Sequence, residues 1–263
     1  MHERLNPEEM ANRDTGELAL GLRGLDAITT PELVRPPVPY RDPPTAELLT
    51  WAVKVYSYSA LCQFRELLRA TLLLVDARDL SAVFLCCRGL FELAAHAYYV
   101  KKHVLQYLKA DNLELAWQFL FEINLGSRAM REKQKAQGDE PDYPEGPHIA
   151  KVMACFNEYF PNGHKEKQAT ETYSSLSEFS HPNCFAFINH FEWETDLRNM
   201  PKVTFGRPST NLLTLCLPAA CMAVVSFLSS VAELVGAFGD RELFGAIGKI
   251  VGELLNNAKP ASP

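Results

Sequence analysis

From Leu212 to Ala232 the chain carries no charged side chain, and no other feature restricts its fold as strongly. The run is long enough to cross a bilayer as an α-helix, and its mean hydropathy is roughly 2, in the range of membrane helices. A helix at the centre of a water-soluble bundle is also apolar all round. Thr214, Pro218, Met222, Ser226, Ser230 and Glu233 recur at a spacing of about four and draw one weakly polar stripe down such a helix. The stripe favours a buried central helix, with attachment to a membrane through 212–232 as the alternative.

The rest of the chain asks for more helices around this one. Thr45, following Pro43 and Pro44, is an N-cap with Glu47 in the first turn, and predicts a helix to about Val75. Asp76-Ala-Arg-Asp79 makes the turn into a second helix over 80–109. A third runs over about 113–137 and a loop follows, with Pro141 and Pro144. A fourth helix runs from Pro147 to Phe160. A fifth, from about Lys165, ends near His181, because Pro182 disfavours helical geometry in the residue before it. Phe191-Glu-Trp-Glu-Thr and Lys202-Val-Thr-Phe alternate apolar with polar, which predicts a small β-hairpin near 191–205. The apolar helix and a last helix over about 241–256 complete an all-α bundle of six or seven helices.

Residues 1–44 read as a Pro-rich, poorly structured leader, with a short helix near 17–22, and 45–263 as a single helical domain. Pro31, Pro36, Pro37, Pro39, Pro43 and Pro44 remove donors and fix φ, so that stretch should be extended. The Pro36-x-x-Pro39 spacing reads as a stiff leader packed along the bundle rather than an SH3-type ligand.

The 263 residues are 47% hydrophobic and 22% charged, enough apolar surface for a sizeable core. A formal charge of −6 excludes a protein that grips nucleic acid through its overall field. The local basic group Arg128, Arg131, Lys133 and Lys135 lies among Glu132, Asp139 and Glu140 and reads as a solvated helix face. Seven cysteines with no C-x-x-C, including adjacent Cys86 and Cys87, point to buried thiols in a reducing compartment. With no apolar core near the N-terminus to make a signal segment, the expected location is cytoplasmic.

Two places could carry chemistry. On the helix over 80–109, Arg88, Glu92, His96, Tyr99 and His103 share about a quarter of the circumference, and apolar residues cover most of the rest. Such a helix is central, and its charged stripe faces either a solvent slit with a structural salt bridge or a functional seam. Inside a bundle Arg88 and Glu92 need each other or another partner. The second place is the end of the fifth helix, where Tyr173, Ser177, Ser180 and His181 lie three or four apart. A histidine placed there suits either proton transfer or a helix C-cap. Arg88, Glu92, His96, Tyr173 and His181 are the candidate site residues.

Arg88-x3-Glu92 followed by Tyr173-x2-Leu-Ser-x3-His181-Pro resembles a group of bacterial all-helical proteins of the HEPN-type helical bundles, over the second to fifth helices. The resemblance implies a helical bundle, RNA as partner, homodimerisation, and an arginine and a histidine meeting from different helices. Active HEPN ribonucleases carry Arg, four to six residues, then His on one helix. Here seven residues separate Arg88 from His96. Ribonuclease activity of the usual kind is therefore not expected.

A di-iron bundle would need two Glu-x-x-His motifs, and Glu178-Phe-Ser-His181 is one, with Glu66 on the first helix and Glu92-x3-His96 off spacing. His181-x-x-Cys184 is too sparse for zinc, and neither a Gly-rich phosphate loop nor a serine nucleophile elbow occurs. No cofactor or metal is expected. Three functions remain open: an HEPN-like, RNA-associated protein, active or degenerate; a non-catalytic interaction or regulatory module; and a membrane-attached helical protein.

Overall fold

A computed structural model of the chain describes residues 6–29, 31, 44–125, 128–138, 146–160, 167–180 and 210–257. These residues are helical: α1 (Pro7–Asp26), α2 (Ala46–Ala77), α3 (Leu80–Lys109), α4 (Leu113–Leu125), α5 (Arg128–Gln137), α6 (Ile149–Phe156), α7 (Gln168–Ser180), α8 (Thr210–Ala237) and α9 (Arg241–Asn257). A short 3-10 turn, Asn157–Tyr159, continues α6.

Local chemistry accounts for the boundaries. The Thr45 hydroxyl oxygen accepts from the Leu48 N–H at 3.2 Å and starts α2. Arg78 takes the left-handed conformation (φ 58°) that ends α2. Asp79 then accepts from the Ala82 N–H at 3.2 Å and starts α3. His148 caps α6, its Nδ1 accepting from the Ala150 N–H.

α3 lies at the centre. It packs most extensively on α8, and also on α2, α4, α6 and α7, while α1 and α9 close over the other side of α8. Phe64 of α2 stacks on Phe227 of α8 with ring centroids 4.0 Å apart, and Phe91 of α3 meets Phe156 of α6 edge-on at 5.5 Å. All four rings are essentially inaccessible to solvent. Truncating one of them to alanine would cost about 3–5 kcal/mol, through lost burial and the cavity left behind.

The uncharged run is the helix that α3 packs against. Both α3 and α8 are long and apolar enough to cross a bilayer, and two thirds of the most apolar stretch of α8 is buried inside the bundle (67%). The polar stripe does not form one outer edge. Ser226 and Ser230 are buried, and the Ser226 hydroxyl donates to the Met222 carbonyl oxygen at 2.8 Å, while Glu233 is exposed and pairs with Lys101 at 3.0 Å.

Two expectations need correction, and a third falls outside the described residues. The expected leader over 1–44 contains α1, whose Ala11, Leu18 and Leu25 are buried in the core. Asn6 starts it through a reciprocal capping box with Glu9, two bonds of 2.9 Å, with Pro7 in the first helical position. The proline-rich stretch 32–43 lies outside the described residues. The helix count is nine among the described residues rather than six or seven. Besides α1, the stretch expected as a third helix carries α4 and α5, and residues 126–127 lie outside the described residues. The β-hairpin near 191–205 is not supported: no strand occurs among the described residues, and that segment lies outside them.

Candidate functional site

On α3 the residues at 88, 92, 96, 99 and 103 fall on one side, and three different neighbours divide them. At the N-terminal end Arg88 Nε donates to Glu92 Oε1 at 2.9 Å, one helical turn away. Arg88 Nη2 donates to the Tyr173 hydroxyl of α7 at 2.8 Å, and the guanidinium carbon stands 5.1 Å from the centroid of the same ring. Arg88 thus ties α3 to α7 by a hydrogen bond and a cation–π contact. Its side chain is 23% exposed and that of Glu92 35%, so water weakens the pair and its net contribution is about 1 kcal/mol or less.

One turn further along α3, His96 is engaged by α2. Its Nδ1 lies 3.2 Å from the Tyr56 hydroxyl, and Tyr56 is buried. Burial lowers the imidazole pKa below its ordinary 6.5 and raises that of the Tyr56 phenol. His96 is therefore neutral at pH 7. Beyond it, buried Tyr99 and half-buried His103 join an aromatic group with Phe119 of α4, and Lys151 Nζ stands 5.8 Å from the Tyr99 ring. Burial first, then the neighbouring Lys151 and Lys102 charges, lowers the His103 pKa.

Of the five candidates, the structure joins Arg88, Glu92 and Tyr173. His96 sits beside them on the same helix with its ring bonded elsewhere. His181 lies outside the described residues. α7 itself crosses from Tyr173 at Arg88 to Phe179, which stacks on Phe84 at 4.7 Å, so it runs antiparallel to α3 toward the start of that helix.

A cleft of about 440 Å³ opens beside the stripe. Glu92, Leu93 and His96 of α3 form its floor, and Tyr56, Ser59, Gln63 and Leu67 of α2 one wall. Ile123 and Asn124 of α4 and Pro147, Ile149 and Val152 around α6 make the other. Glu92 is the one formally charged side chain among the described lining residues, which include neither lysine nor arginine. A second cleft, of about 340 Å³, lies between α1 and the α2–α3 turn and includes none of the stripe.

Sequence reasoning missed Tyr56, although Tyr56, Ser59 and Gln63 at spacings of three and four already draw a polar row on α2. It also missed Asp14, which is 2% exposed on α1 and is held by Arg13 at 2.9 Å. The thiols of Cys87 and Cys216 are fully buried, and their mutual contact, followed by burial, pushes the Cys87 pKa well up, which makes it an unreactive core residue. No group of three or more metal-ligating side chains occurs among the described residues. Comparison with protein-family models, curated proteins and solved structures finds no match for this chain.

Proposed function

We propose that this chain is a non-catalytic interaction or regulatory module: a soluble helical bundle whose Arg88–Glu92–Tyr173 group is architecture. The observation that carries the reading is where the two chemically versatile side chains on α3 are engaged. The Arg88 charge is balanced by Glu92 and its Nη2 held by Tyr173, whereas His96 is bonded to Tyr56 on another helix. An RNA-cleaving site would need a cation offered to phosphate and an imidazole poised beside it. The cleft next to the stripe instead carries a carboxylate as its formal charge.

The test is direct. Purified protein incubated with single-stranded and structured RNAs should leave them intact. Glu92→Ala should lower the melting temperature by a few degrees with helical circular dichroism retained, since each kcal/mol shifts Tm by about 2–4 °C in a chain of this size.

The HEPN-like, RNA-associated reading is the second one. Its support is that Arg88 meets a residue of α7, the helix that leads to His181, and keeps part of its guanidinium exposed. In the active form of that reading the wild type cuts RNA and His181→Ala slows cleavage by about 10²–10⁴; in the degenerate form the chain binds RNA without cutting it. Cleavage would replace the non-catalytic proposal.

A further inference from the structure

We propose that the cleft between α2, α3, α4 and α6 binds a small organic amine that also carries a hydroxyl or carbonyl group. Glu92 holds the ammonium, His96 donates to the oxygen, and the apolar body lies against Leu67, Leu93 and Ile123. The inference rests on the non-catalytic reading above and names the ligand class of the same region.

Size comes first. At about 440 Å³ the cleft falls within the roughly 300–1,000 Å³ of small-molecule sites, and like them it sets a few polar groups in mostly apolar walls. Charge comes second. Among the described lining residues Glu92 is the one formal charge, so an anion meets repulsion there while a protonated amine meets a partner. Arg88 anchors Glu92 through Oε1, and Oε2 accepts no hydrogen bond from a described residue. The carboxylate is thus held in place with an acceptor to offer. Arg88 reduces the attraction without removing it, because the ammonium comes to the other oxygen.

Hydrogen bonding comes third. Tyr56 is buried, and among the described residues the acceptor its hydroxyl meets is His96 Nδ1 at 3.2 Å. A buried hydroxyl is satisfied when it donates, which assigns the imidazole proton to Nε2. Neutral His96 therefore turns a donor toward a ligand, one helical turn from the Glu92 acceptor on the same face of α3. Acceptor and donor at that spacing match an ammonium and an oxygen on neighbouring carbons.

An isosteric series tests this on the full chain: 2-amino-1-phenylethanol, 1-phenylethane-1,2-diol and mandelate share the phenyl ring and benzylic hydroxyl and differ in charge. Titration calorimetry should show saturable binding of the amine, at least about tenfold tighter than the diol, and none of mandelate up to about 10 mM. Glu92→Gln, checked for helical circular dichroism, should bring the amine down to the level of the diol. Ser59→Trp, at an exposed position on the rim, should block both without disturbing the Arg88 pair. Mandelate binding as well as the amine, amine binding that survives Ser59→Trp, or no saturable amine binding would each overturn the proposal. The RNA assay separates the two readings: cleavage by the wild type ends the non-catalytic one, whereas an unbound amine beside intact RNA ends only this one.

Discussion

His96 shows how a single side chain links burial to the pH response of the whole protein. In the unfolded chain its pKa is the ordinary 6.5, and burial lowers it in the fold. Between those two values the unfolded state binds more protons than the folded one, so stability rises with pH and is lost as pH falls through 6.5. The melting temperature should therefore drop between pH 7.5 and pH 5.5. His96→Gln keeps an acceptor for Tyr56 and removes the titration, so the drop should shrink but persist, because His103 is shifted in the same direction. Equal slopes in the two proteins, or a wild type that gains stability on acidification, would refute this account. At the neighbouring contact, Tyr173→Phe removes the bond to Arg88 and leaves the ring in place. It should cost about 1 kcal/mol or less, since the guanidinium stays partly hydrated; calorimetric Tm measurements on both proteins check this.

At the scale of the element, α1 is the instructive case. It lies across α8, α2 and α9, and its approach to α9 depends on Gly24. A Cβ at that position would stand 2.6 Å from Ile250, closer than real side chains pack. The neighbour is a β-branched side chain that cannot swing aside. Gly24→Ala should therefore push α1 off α9 and destabilise the fold by about 1–3 kcal/mol. Gly16 sits in the same helix with nothing within 4 Å of its Cβ position, so Gly16→Ala should be neutral or stabilising by about 0.5–1 kcal/mol. Denaturant titration of the two variants reads the contrast, and opposite signs are the expected outcome. If both variants behave alike, α1 is not packed as described.

At the scale of the molecule, the two described helices long and apolar enough to cross a bilayer, α3 and α8, are each other's main partner. Pairing them buries a large apolar area, worth about 25 cal/mol per Å² removed from water. The same surface would otherwise have to face lipid. The full-length chain should accordingly remain in the soluble fraction and purify without detergent. Recovery only from membranes, with release on deleting 212–232, would show instead that α8 is lipid-facing.

Much of the architecture was legible from residues alone. The α2–α3 turn, the span of α3 and its central place follow from caps and from the girth of its apolar surface, which are local properties. The Arg88–Glu92 pair follows from i, i+4 spacing on one helix. The start of α1 was legible as well, in Asn6-Pro-Glu-Glu9, but weak apolar periodicity and the downstream prolines hid it. Ala11, Leu18 and Leu25, seven residues apart, lie on one buried face of that helix, where the other buried positions are Asp14 and Gly21. What only the tertiary structure decided is which helix meets each polar group. Tyr173 reaches Arg88 from 85 positions away, and Tyr56 reaches His96 from 40. Spacing along a helix places a side chain on a face. The angle and depth at which two helices pack determine what that face touches, and those depend on the fit of the whole core.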